Sequence, residues 1–333
     1  MPSPLIVASN LGAYCPLGDF YIDPTGPVAR AVITHGHADH ARPGSHDYLA
    51  AESSVPILRE RLGPDALITP LRFGETLSHN GVRISLHPAG HLLGSSQVRV
   101  EHAGEVWVVS GDYKTEPEAS CEPFEPIRCH TFLTESTFAL PVYRWRPQSD
   151  VMAEVMDWWR LNQERRRTSV LLAYALGKAQ RLLAALQPDL GPIFAHGAVT
   201  AFLPAYVAAG VRFPAVQHAE AEVVRGLRGR AIVVAPPSVV NTPWFRKLGP
   251  CSTAFASGWM HLRGPRRRQG VDRGFVISDH ADWPGLLEAI KATGAERVGV
   301  MHGYTGILAR WLKESGMDAW EIHGSRFISD DVG

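Results

Sequence analysis

No run of apolar residues in this sequence is long enough to cross a bilayer, which argues against membrane-spanning helices. The opening residues, MPSPLIVASNLGAYCPLGDF, lack a basic segment followed by a long apolar stretch, so no export signal is expected. Cysteine is scarce and dispersed: Cys15, Cys121, Cys129 and Cys251 include no close pair. That argues against a disulfide framework or a cysteine-based zinc site and fits a reduced cytoplasm. The simplest use of the four thiols is as small buried or partly buried side chains. Excess charge is missing too, since 33 Lys and Arg balance 33 Asp and Glu. A charged partner would have to be met by a local face. Repeats and low-complexity tracts are absent. What remains, with 45% hydrophobic and 20% charged residues in 333, is the profile of a soluble globular protein of one large or two smaller domains.

The pattern along the chain is α/β. In the first half, FYID, RAVITH, VRISLHP, SQVRVEH and EVWVVSGD are rich in β-branched and aromatic residues and bounded by Gly, Pro, Asn or Asp, as short strands are. Helical spacing enters near residue 150. SDVMAEVMDWWRLNQERRR opens with a Ser/Asp cap signal and repeats its apolar residues at helical intervals. SVLLAYALGKAQRLLAALQ predicts a buried strand, a glycine turn and a helix, and AIVVAPPSVV a strand with a proline stop. Residues 274–316 read strand, loop, helix, strand, loop, helix.

Chemistry concentrates at strand ends. AVITHGHADHARPGSH packs His35, His37, Asp39, His40 and His46 behind a short apolar run. Imidazole and carboxylate together suit zinc, and also manganese or iron. HPAGHLLGSS adds His87 and His91, WVVSGDYK adds Asp112, and VGVMHGYTG adds His302, each after an apolar strand. Any one alone would be unremarkable as a surface histidine or capping aspartate. Together they fall where loops build sites. RGPRRRQGVDRG, with Arg263, Arg266, Arg267, Arg268 and Arg273, is a basic loop that could meet backbone phosphates. Nearby Trp259 and His261 could stack on a base, although its apolar neighbours favour a core position for Trp259.

THGHADH resembles the HxHxDH signature of the metallo-β-lactamase superfamily. Asp23 in FYIDPTG resembles its early structural aspartate, and His91 and Asp112 its later histidine and bridging aspartate. LTEST (Glu135), ISDHADW (Asp279, His280, Asp282) and VMHG (His302) resemble motifs A, B and C of the nucleic-acid-cleaving β-CASP branch, and YALGKAQRLL and ASGWM are also β-CASP-like. YCPLGDFYIDP and THGHADHARPGS most resemble the bacterial DNA ligase-associated exonucleases. The resemblance implies an αβ/βα four-layer sandwich with an inserted, compact β-CASP cap. Residues 1–145 and 273–333 would form the metallo-β-lactamase domain and 146–272 the cap.

The same resemblance implies two divalent cations, Zn²⁺ foremost with Mn²⁺ as the alternative. His35, His37 and His91 would hold one, Asp39, His40 and His302 the other, and Asp112 would bridge both. His280 becomes the general acid and Glu135 the carboxylate that orients it; Asp39 and Asp112 join the catalytic set. Arg263, Arg266, Arg267 and Arg268 would bind nucleic acid. The expected activity is exonucleolytic hydrolysis at DNA ends in repair, in the cytoplasm, in functional association with a DNA ligase. A β-CASP ribonuclease is the nearest alternative, because RNA-acting members carry His at motif C, as His302 does, where eukaryotic DNA-acting members tend to carry Val. A non-catalytic scaffold would not need every ligand position filled, and a small-molecule hydrolase would not need motifs A to C.

Overall fold

The computed structural model describes residues 4–262 and 270–322. The chain divides into two compact units, residues 1–144 with 280–333, and Trp145–Asp279. Among the described residues, no helix is long and apolar enough to cross a membrane.

The first unit is built on two sheets. One has six strands in sequence order, Val7–Ser9, Gly12–Cys15, Phe20–Ile22, Arg30–Val32, Asp47–Ala51 and Ile68–Leu71, and its last four run parallel. The other, of seven strands, begins as an antiparallel meander, Thr76–His79, Val82–Pro88, Ser96–His102 and Glu105–Val109. It continues with three parallel neighbours, Thr131–Ser136, Arg297–Gly303 and Asp318–Glu321. Alternation explains how the sheets cover each other. Trp107 and Val109 join Val98, Val100, Leu86 and Leu133 in a core that also takes Val32 and Leu49 of the first sheet. Val106 and Val108 point the other way, into a second core with Leu286 and Ile290 of helix Trp283–Thr293 and Leu308 and Leu312 of helix Thr305–Glu314. On the far side of the six-stranded sheet, Ala31, Ile33, Tyr48 and Ala50 pack on Leu58 of helix Val55–Leu62.

The second unit carries one six-stranded sheet whose pairings are all parallel. Its central strands, Thr168–Leu172 and Ile232–Ala235, are buried on both faces, as helix-covered parallel strands require. Trp158 and Trp159 of helix Gln148–Glu164 pack on one face, and Val224 and Leu248 on the other.

Two local expectations change. Helix Gln148–Glu164 takes Pro147 as its N-cap without a side-chain cap bond, and Ser149 and Asp150 fall inside its first turn. Proline has no N–H to satisfy there, and an acidic group in the first turn still complements the helix dipole. FYID and RAVITH shorten to Phe20–Ile22 and Arg30–Val32, because the residues after them turn toward the site. The cysteines behave as expected: Cys15 and Cys129 are buried, and Cys121 and Cys251 partly so.

The meander offers a direct test of this packing. Leu86 is 0% exposed between the sheets, and Leu77 on the adjacent strand is 37% exposed. Leu86→Ala should destabilise by about 2–5 kcal/mol and Leu77→Ala by no more than about 0.5 kcal/mol, read from urea midpoints at unchanged slope. Equal losses would contradict the placement of Leu86 in the core and of Leu77 at its exposed margin.

Candidate metal centre

Three parallel strands of the seven-stranded sheet end at one edge. Trp107 pairs with Thr131 and Val109 with Leu133, and Phe132 pairs with Val298 and Leu133 with Gly299. Asp112 follows the first strand, Glu135 lies near the end of the second and His302 near the end of the third. The pairing of the last two shifts register between Thr134 and Ser136, so Glu135 sits at an irregularity that re-aims its side chain. His302 itself adopts a positive φ of 55°. The turn after Arg30–Val32 supplies His35 to His40, and the turn after Val82–Pro88 supplies His91. Gly111, at φ 57°, lets Asp112 enter the site: a Cβ there would stand 2.7 Å from Cβ of Thr34.

His35, His37, His91 and Asp112 bring ligand atoms within 4.8 Å of one another, and so do His40, Asp112 and His302. Asp112 is common to both groups. Its Oδ2 lies 3.6 Å from Nε2 of His35, 3.4 Å from Nε2 of His40 and 3.9 Å from Nε2 of His91. These separations are longer than a usual hydrogen bond. Those to His35 and His40 match donor atoms sharing one cation, which stand roughly 3.3–3.6 Å apart when each is about 2.0–2.2 Å from it, and that to His91 is slightly longer. His35 Nε2 is buried and has no hydrogen-bond partner among the described residues. The donor set therefore fits divalent metal.

The other imidazole nitrogens are tied back. Asp23 accepts from the Thr34 amide at 2.7 Å and the Thr34 hydroxyl at 2.5 Å, and meets His40 Nδ1 at 2.8 Å. The Thr34 hydroxyl also meets His35 Nδ1 at 3.0 Å. Binding Nδ1 in this way fixes which ring nitrogen is offered to a ligand site. Burial holds His35 well below the usual imidazole range and lowers His302 to about 4, so both rings stay neutral and able to coordinate. Burial also disfavours a charged His40, but the carboxylates of Asp112, Asp39 and Asp23 outweigh it and raise this group. Burial would raise Asp112, yet His40 foremost among the surrounding imidazoles holds it well below the carboxylate range.

Beside this cluster, buried Glu135 meets His280 Nδ1 through both oxygens, at 3.1 and 3.0 Å, and accepts from the Tyr113 amide at 2.7 Å. Asp112, Glu135 and His280 also lie within 4.8 Å of one another by their ligand atoms. A carboxylate hydrogen-bonded to His280 is thus Glu135, distant in sequence. Asp282 caps helix Trp283–Thr293 by accepting from the Gly285 amide at 2.9 Å.

Other sequence candidates are placed differently. Asp39 is outside both metal-capable groups, with Oδ2 3.6 Å from His40 Nε2. His46 is exposed beside Asp47, and His87 meets Ser85 at 3.1 Å. Trp259 packs partly buried against the second unit's core, the ring of His261 lies 6.3 Å from that of Trp145, and Arg273 reaches Glu154 at 3.6 Å. Arg263, Arg266, Arg267 and Arg268 lie outside the described residues. Thr34, which links Asp23 to His35, was not singled out by the sequence. Its place directly before the first histidine is the only signal that could have found it.

Comparison with known proteins gives relatives along most of the chain. A probable DNA ligase from Opitutus terrae is 30% identical over 322 residues, which is 96% of this chain and 31% of that protein. Cleavage and polyadenylation specificity factor subunit 3 from Dictyostelium discoideum is 26% identical over 121 residues, 36% of this chain and 15% of that protein. Transcription termination factor FttA from Pyrococcus abyssi is 23% identical over 204 residues, 50% of this chain and 31% of that protein. The chain thus spans about a third or less of the length of these curated relatives. No family model matches it. Among solved structures, a protein of unknown function from Enterococcus faecalis shares the fold, with a TM-score of 0.57 at 12% identity, over 89% of this chain and 79% of that one.

The tied-back nitrogens generate a prediction. Asp23→Ala should weaken metal binding about 10–100-fold, measured by competition with a chromogenic chelator, although Asp23 meets only the far nitrogen of His40. Wild-type affinity in that variant would show that His40 is oriented by something else.

Proposed function

The chain belongs to the β-CASP branch of the metallo-β-lactamase superfamily, and we propose that it is a metal-dependent nuclease that hydrolyses phosphodiester bonds at DNA ends as an exonuclease in DNA repair. The observation that carries this is the shared Asp112 carboxylate among His35, His40 and His91, with the Glu135–His280 pair beside it. A lactamase or thioesterase needs the first element only, and a phosphodiesterase that must protonate an alkoxide uses both. The family fold would make the two sheets and their flanking helices an αβ/βα four-layer sandwich, with residues 146–272 as the β-CASP cap. The separation of Trp145–Asp279 as a compact unit supports that division.

His35, His37 and His91 would hold one divalent cation, Asp39, His40 and His302 a second, with Asp112 between them; zinc is the first choice and manganese the second. Such ions polarise the scissile phosphate and lower the pKa of water toward neutrality. The protein's part is to fix the donors and move a proton. Asp23 and Thr34 hold His40 and His35 by their Nδ1 atoms. Glu135 binds His280 Nδ1, which sets the ring's tautomer and favours imidazolium, and His280 delivers a proton to the departing sugar oxygen. Outside this group, Arg263, Arg266, Arg267 and Arg268 would contribute phosphate contacts.

DNA is favoured as substrate by the relative named as a probable DNA ligase, which aligns along 96% of this chain and also supports association with a ligase. RNA cleavage is the second proposal, supported by relatives named as endoribonucleases, such as that of Aspergillus fumigatus, 32% identical over 123 residues, or 36% of this chain and 14% of that protein. End-labelled DNA and RNA oligonucleotides of one sequence, incubated with Zn²⁺, Mn²⁺ and Mg²⁺ in turn, separate them. Stepwise shortening of DNA from an end is expected; internal cuts confined to RNA would favour the ribonuclease.

The acid has its own test. His280→Ala should lower the cleavage rate by about 10²–10⁴ with metal content unchanged, and the loss should shrink on a p-nitrophenyl phosphodiester, whose leaving group departs without a proton. His302→Ala should instead deplete metal and impair both substrates alike. Loss of metal in His280→Ala, or equal losses on both substrates with the metals retained, would contradict the assignment.

A further inference from the structure

Two cations are buried in the second unit. Lys178 is 2% exposed and Arg181 1% exposed. They stand three residues apart on helix Lys178–Ala185 and so share a face. Lys178 Nζ meets Asp279 Oδ1 at 3.1 Å, with both side chains 2% exposed, and lies 4.6 Å from the centre of the Tyr174 ring. Arg181 donates from a terminal guanidinium nitrogen to the Ser278 carbonyl at 3.3 Å. Both contacts therefore grip two consecutive residues, Ser278 and Asp279.

Those residues end the second unit, and the next one, His280, resumes the first. Between strand Arg273–Phe275 and helix Trp283–Thr293 the described backbone forms no strand pairing; after His280 the Ala281 amide donates to the Tyr113 carbonyl at 2.7 Å. The approach to His280 from its N-terminal side is left to Ser278 and Asp279. A buried ion pair is also a poor choice if stability alone were at stake, since apolar residues of the same volume usually serve as well. Its directional value lies in holding one carboxylate at one point.

We propose that Lys178, through Asp279 and with Arg181 on Ser278, is a positioning residue for His280, fixing the backbone from which its imidazole meets Glu135. This rests on His280 being the general acid. Lys178 touches no reacting atom in this scheme. Its effect passes along the peptide bond joining Asp279 to His280, so removing it should matter only while His280 is present.

The test is a double-mutant cycle on the full chain, assayed on an oligonucleotide. Lys178→Met should lower kcat about 10–10²-fold at unchanged KM and metal content. Lys178→Arg, which keeps the charge, should recover most of the loss. In a His280→Ala background, Lys178→Met should cost less than about twofold. If Lys178→Met does not fold, Asp279→Asn breaks the pair from the other side and enters the same cycle with the same expectations. An equal loss with and without His280, in whichever variant folds, would overturn the proposal. Failure of the acid assignment is seen separately, in His280→Ala alone, as equal losses on the oligonucleotide and the p-nitrophenyl ester.

Discussion

A buried carboxylate surrounded by imidazoles is the constraint on which the first unit depends. Asp112 is 7% exposed, and three ring nitrogens face one of its oxygens at 3.4–3.9 Å. Of these, only the 3.4 Å approach of His40 comes within hydrogen-bond reach, and a buried charge with weak partners is costly. Protonation answers this only in part: the carboxylates raise His40, but burial holds His35 and His302 on the neutral side. Divalent cations satisfy the carboxylate and the neutral imidazoles together, so the donor set and the electrostatics point the same way.

The fold delivers that donor set by register. Parallel pairing puts the ends of Glu105–Val109, Thr131–Ser136 and Arg297–Gly303 at one sheet edge, where Asp112 follows the first strand and Glu135 and His302 lie near the ends of the next two. The core between the sheets, with Val32 on one side and Val109 and Leu133 on the other, fixes the loop carrying His35 to His40 against that edge. Two of the strained points lie in the same place: Asp23 at φ 46° and His302 at φ 55°, where ordinary side chains adopt a backbone usually left to glycine.

Much of this was legible in the sequence because it is local. HxHxDH spacing marked the His35–His40 turn, and apolar runs ending in SGD and MHG marked Asp112 and His302. VRISLHP and SQVRVEH read as strands because their alternation faces one core, and the structure forms them at Val82–Pro88 and Ser96–His102. Less legible was whatever depends on register or on distant contact. Glu135 was named only through the resemblance, since its orientation comes from a shift in pairing with a strand about 165 residues away. That Asp282 caps a helix and that Asp279 pairs with Lys178 also depend on the folded structure. Nothing in the order of residues says that Lys178 and Asp279, 101 positions apart, meet in the interior.

The shared role of Asp112 is tested most directly by counting metals. Native mass spectrometry of the zinc-loaded protein, checked by elemental analysis, should give two ions per chain. Asp112→Ala should lower occupancy of both sites together, because the carboxylate serves both groups. An Asp112→Ala protein that kept two tightly bound ions and full nuclease activity would contradict the account, since the residue around which the centre is organised would then be dispensable.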